Sequence, residues 1–154
     1  MGFWKKLFSS NDVQEVDYYA EGLELMSVGK YHDALTSFRL ALRESPQDPS
    51  ILQQVAMAYT RIGMTDQAAK TYRQVLEQKP HSAGAHYGLA FLLLRDGKSE
   101  EAIPHLEQFL AAPPDGPEAQ RHVEHARRTL AELRGEAAAE PEPPQELSPG
   151  GEAR

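Results

Sequence analysis

A period of 34 residues is the feature that most restricts what this chain can fold into. Gly29, Gly63 and Gly97 recur at that spacing, as do Ala34, Ala68 and Ala102, then Phe38, Tyr72 and Leu106, and finally Pro46, Pro80 and Pro114. A further column, Gly22, Ala56 and Ala90, is small throughout, and another, Leu25, Tyr59 and Leu93, is large and apolar. A pattern repeated at this interval is one supersecondary unit used several times. A single such unit cannot bury its own apolar face, so each copy has to stack on the next.

The columns read as a pair of helices per copy. The glycines follow an apolar-periodic run, where a helix ends and a left-handed residue without a Cβ is favoured. Thr65 and Ser99 then stand as N-caps of second helices, and Asp48 (before Pro49) and Ser82 as N-caps of first helices. Within the second helices, Ala34/Leu35/Phe38/Ala41/Leu42, Ala68/Ala69/Tyr72/Val75/Leu76 and Ala102/Ile103/Leu106/Phe109/Leu110 form one apolar face at helical spacing. The small columns let the paired helices approach closely, and Phe38, Tyr72 and Leu106 fill the space beside them. Pro46, Pro80 and Pro114 stop each second helix, while Pro104 falls one turn inside the last of them and is expected to bend it.

These columns resemble the tetratricopeptide repeat, with copies at 15–48, 49–82 and 83–116. The resemblance implies an all-α fold, a right-handed α-solenoid of three helix-turn-helix repeats. Departures from the family pattern are Tyr18, Leu52 and His86 at an early position often held by Trp, Leu106 in place of a second-helix aromatic, and Glu21 in a usually apolar column. Glu21 suits a terminal unit with no preceding neighbour. After the third copy, Asp115-Gly116-Pro117-Glu118 is a helix start, with Asp115 or Gly116 as cap, and Ala119, Val123, Ala126, Leu130 and Leu133 follow at helical spacing. A capping helix over 117–134 closes the repeat domain, 13–134.

In proteins that this chain resembles, first helices line a concave face that binds extended peptides or helices. The matching positions are Tyr19, Leu23 and Met26 in the first copy, Gln53, Met57, Thr60 and Arg61 in the second, and Gly84, Tyr87, Phe91, Leu94 and Arg95 in the third. Leu23, Met57 and Phe91 form the centre column, which suits a protein or peptide partner presenting apolar side chains, and Arg61 and Arg95 add an acidic preference at one rim. The competing expectation is that the cap or the N-terminal segment fills this groove. The subfamily that clamps acidic chaperone C-termini uses five polar or basic groove residues, and the corresponding positions here are Tyr19, Leu23, Gln54, Gly84 and Gly88, so that ligand is not expected. Gly84 and Gly88 either permit close helix packing or open space beside Tyr87 and Phe91 for a ligand side chain.

The ends differ from the middle. Residues 1–12 carry Lys5, Lys6 and Asp12, and at helical spacing Phe3, Trp4, Leu7 and Phe8 fall on one face opposite Lys5 and Lys6. That short amphipathic segment suits a lipid headgroup boundary, or docking on the repeats or a partner. Residues 135–154 hold five Glu, one Arg and four prolines in 141–149, and are expected to be a disordered acidic tail.

Composition excludes several functions. The net charge of −7 argues against nucleic acid as a partner. The absence of cysteine removes thiolate chemistry and Cys-based metal sites. Apolar runs such as Leu89-Ala90-Phe91-Leu92-Leu93-Leu94 are far too short to span a bilayer. His122 and His125 are the closest approach to a metal pair, and they read as part of a solvated polar stripe. No Gly-rich phosphate loop, nucleophile elbow or other catalytic constellation is present, so no cofactor and no metal are expected. The expectation is a non-enzymatic adaptor in the cytoplasm, with residues 3–8 as a peripheral contact to its membrane face. The alternative is a small acidic chaperone for secretion or assembly clients, because the bacterial translocator chaperones are likewise built on three such repeats.

Overall fold

The computed structural model describes residues 15–135, and among these the regular structure is entirely helical. Three helix pairs follow one another: α1 (Tyr18–Ser27) with α2 (Tyr31–Glu44), α3 (Pro49–Ile62) with α4 (Thr65–Gln78), and α5 (Ala83–Arg95) with α6 (Ser99–Ala111); α7 (Pro117–Leu133) packs on α6. Each helix also packs against the next in the chain, and first helices neighbour first helices, α1 beside α3 and α3 beside α5. The result is a helical solenoid. The amphipathic segment and the acidic tail beyond Gly135 lie outside the described residues.

The recurring glycine closes each first helix in the same way. Gly63 takes φ +92°, and the next amide, Met64 N–H, donates to the Tyr59 carbonyl at 2.9 Å. The equivalent bonds run from Lys30 to Leu25 (2.9 Å) and from Lys98 to Leu93 (2.8 Å), so the column of large residues also supplies the accepting carbonyls. This six-to-one closure needs the left-handed residue between the partners. First helices begin as expected: the Asp48 carboxylate accepts from Ser50 N–H at 2.8 Å, and the Ser82 hydroxyl from Ala85 N–H at 3.3 Å.

Second helices do not begin as expected. The caps are Met64 and Lys98, neither with a side-chain bond, and Thr65 and Ser99 are the first helical residues. The short connection explains the difference: the residue after glycine is already committed to the closure just described, and its carbonyl accepts the first helical bond, Ala68 N–H to Met64 (3.0 Å) and Ala102 N–H to Lys98 (3.2 Å). α6 runs through Pro104 from Ser99 to Ala111 as one helix, with Pro104 on its exposed side. Of the two candidates for the α7 cap, Gly116 takes the place, at φ +110°.

The repeat columns become the core. Ala34, Ala68 and Ala102 are fully buried, as are Ala56 and Ala90, and the Phe38, Tyr72 and Leu106 side chains fill the space between paired helices. Full burial of each such large side chain contributes roughly 1.5–3 kcal/mol. One cluster spans α1 to α3; the other runs from α3 through α7, and Leu42 and Tyr59 touch both, so the core is continuous along the stack. Ala126 and Leu130 of α7 join it.

His86, in the column that also holds Tyr18 and Leu52, is buried yet fully bonded. Its Nε2–H donates to the Pro80 carbonyl at 2.7 Å, which leaves Nδ1 to accept from the His105 Nδ1–H at 3.0 Å. Burial, then the adjacent His86 and Arg73, hold the His105 pKa below its ordinary value, against an opposing pull from Glu101.

Candidate functional site

Among the described residues, a broad apolar cavity of about 530 Å³ lies between α3, α5 and the start of α7. Eight of the expected groove residues line it: Gln53, Met57, Thr60 and Arg61 from α3, with Gly84, Tyr87, Phe91 and Arg95 from α5. The other four stand elsewhere. Tyr19 and Met26 pack against the first core cluster and Leu94 against the second, while Leu23 is exposed on α1 away from the cavity. The groove is therefore confined to the second and third copies and the cap.

Aromatic contacts build its wall. Tyr87 is central, its ring 4.7 Å from Phe91 and 4.9 Å from Phe109. From α7, His122 sets its edge against Tyr87 at 4.7 Å, and His125 stacks on Phe91 at 4.5 Å with the planes 9° apart. The His125 Nδ1 lies 3.0 Å from the Tyr87 hydroxyl. Both histidines are exposed, as expected of a solvated stripe, and their rings also pack on the groove aromatics. Loss of water around Tyr87 raises the pKa of its hydroxyl above the ordinary tyrosine value. Met57 also lines the cavity and is 37% exposed, an apolar side chain partly open on its surface.

The two glycines in α5 are packing residues. A Cβ on Gly88 meets the Tyr72 ring at Cζ and falls 2.6 Å from its hydroxyl and 2.8 Å from Cε2, and on Gly84 it overlaps the Gln53 carboxamide. Gly88 thus admits a second-helix aromatic, Tyr72, to the cavity floor. Burial raises the Tyr72 pKa, and the Thr60 hydroxyl and the Arg61 charge offset part of that rise. Space opened for a ligand side chain is not what these glycines supply, and Gly88→Leu cannot leave the core intact.

Sequence reading missed Tyr72, Pro114, Asp115, Glu118 and His122 as cavity residues, and His125 as the partner of Phe91. A signal for the last part existed. Carrying the 34-residue period one step past the third copy aligns Glu118 with Gly84 and His125 with Phe91, so α7 occupies the place of a further first helix. The expectation that the cap fills the groove is met in part: α7 walls one side and leaves the cavity open.

Among the described residues no three His, Asp or Glu side chains converge as a metal set, and no helix is long and apolar enough to cross a membrane. The geometry defines a helix-pair solenoid with a lined trough on its first helices. Residues 63–124 match the family described as Tetratricopeptide repeat, and the three helix pairs and capping helix have the solenoid fold of such repeats. A curated relative, the Vi polysaccharide export protein VexE of Salmonella typhi, is 32% identical over 97 residues, 60% of this chain and 15% of that protein. The chain spans only 11–15% of the length of the first curated relatives it matches. Among solved structures, the Yersinia enterocolitica type III secretion chaperone SycD in complex with a peptide of the translocator YopD superposes with a TM-score of 0.71 at 18% identity, covering 80% of this chain and 97% of that one. The first such domain of Spaghetti (RPAP3), bound to the HSP90 peptide SRMEEVD, gives 0.63 at 21% identity, covering 74% of this chain and 90% of that one.

Proposed function

We propose that this chain is a non-enzymatic adaptor that holds a partner's peptide segment or helix in the trough between α3, α5 and α7. The carrying observation is a preformed, aromatic-walled cavity of about 530 Å³ with Met57 partly exposed on its surface, the form of site that takes apolar anchors. Solved relatives of the same fold carry peptides, which supports the reading. The test is capture from native lysate with wild type and Met57→Glu, followed by competition with a synthetic peptide from the captured protein. Met57 is the right position, because Phe91 also holds α7 in place through His125. Loss of the partner from a folded Met57→Glu variant supports the reading; unchanged capture overturns it.

A second reading is a chaperone for secretion or assembly clients. The superposition over 97% of a translocator chaperone's length favours it. Co-expression separates the two: a chaperone keeps an otherwise insoluble client in the supernatant, whereas an adaptor joins partners that are soluble alone.

The location we propose is cytoplasmic, with residues 3–8 touching a membrane surface, on the strength of the Phe3, Trp4, Leu7 and Phe8 face opposite Lys5 and Lys6. Liposome co-sedimentation that disappears in a Phe3/Trp4/Phe8→Ala variant supports this; no sedimentation of wild type discards it.

A further inference from the structure

The trough has opposite charges at its two ends, and its polarity can be read from the register of α5 against α7. His122 meets Tyr87 and His125 meets Phe91, so the two helices advance in the same direction. One turn back along α7, Glu118 and the preceding Asp115 stand at the Gly84 end of the cavity; one turn on along α5, Arg95 stands at the other. Arg61 joins Arg95 there, at the matching end of α3, its guanidinium placed over the Tyr31 ring at 5.8 Å.

All four charged residues are exposed, and none takes part in the ion pairs found among the described residues, Lys98–Asp96 and Arg134–Glu107. They are charges facing a shared apolar trough without an internal counter-charge. The span from Gly84 to Arg95 is about 16 Å at the helical rise, which an extended chain covers in about five residues.

Resting on the adaptor reading above, we propose that this groove selects a polar-ended segment: apolar side chains at the centre, an acidic residue toward Arg61 and Arg95, and a basic residue about five positions away, toward Asp115 and Glu118. Charge at the rims of an apolar site sets register and direction more than affinity, because each wrong orientation places like charges together. A uniformly acidic segment meets Asp115 and Glu118, and a uniformly basic one meets the arginines. The groove therefore has a preferred chain direction.

The test is selection from a displayed library of random short peptides on the full chain, with the Met57→Glu variant as the subtractive control. The expected result is enrichment of an apolar core flanked by one acid and one base at fixed separation and order. In an Arg61→Glu/Arg95→Glu variant, selected peptides should lose about tenfold in affinity, and an acid-to-lysine change in the peptide should restore it. Enrichment of apolar cores with no charge order, or equal binding by the arginine variant, overturns this proposal and leaves the adaptor reading standing. No enrichment over Met57→Glu overturns both.

Discussion

Three glycines that sit inside helices test the packing account with opposite signs. Replacing a helical glycine by alanine gains about 1 kcal/mol from backbone entropy alone. At Gly22 the new Cβ falls 2.8 Å from Phe38 Cζ, with other ring carbons closer, and Phe38 is fully buried. That ring has nowhere to go, so an overpacking cost of about 1–3 kcal/mol exceeds the gain, for a net loss of about 1 kcal/mol. At Gly84 the Cβ meets the end of Gln53, a flexible side chain at the edge of an open cavity, so the carboxamide swings aside and the variant gains about 0.5–1 kcal/mol. Gly88→Ala falls between, because the Tyr72 ring is mostly buried but its hydroxyl borders the cavity. In thermal or urea melts the order should be Gly84→Ala above wild type and Gly22→Ala below it, each step being a few degrees. A Gly22→Ala protein at least as stable as wild type would refute the claim that the small column exists to admit Phe38.

Leu106 is fully buried at the junction of α5, α6 and α7, and Leu106→Ala should cost about 2–5 kcal/mol in urea unfolding, whereas Arg134→Ala, which breaks the exposed 2.6 Å pair with Glu107, should change stability by less than about 1 kcal/mol. His105 has a lowered pKa when folded, so the unfolded chain takes up its proton first as the pH drops; stability from this group is complete above about pH 6.5 and is lost on acidification below it. His105→Gln should flatten that part of the pH profile, and a profile unchanged by the substitution would remove His105 as its source. His125→Ala removes the stack on Phe91 and should cost about 0.5–1.5 kcal/mol, with faster amide exchange in α7 than in α5 as the local readout.

Much of the fold could be read from residue spacing because each column performs one local task. Asp48 and Ser82 cap helices through their own side chains, and Gly63 supplies a backbone angle, so neither needs a distant partner to be recognised. Thr65 and Ser99 misled because capping depends on where the preceding turn delivers the chain, and the closure after glycine starts the helix one residue earlier. The groove was half legible. The α3 and α5 positions follow from periodicity, but the α1 positions Tyr19, Leu23 and Met26 have the same spacing and do not reach the cavity.

Helix count, helix limits and the burial of the repeated columns are thus properties of the chain itself, since backbone bonds, caps and apolar period act over a few residues. What the residues around the cavity do together depends on packing across 30 or more positions. Tyr72 enters the floor because Gly88 has no side chain to stop it, and His122 and His125 become groove walls because α7 lies beside α5. Side chains that look solvated on their own helix acquire neighbours only when another helix is laid against them, and that placement is decided by the summed fit of the core.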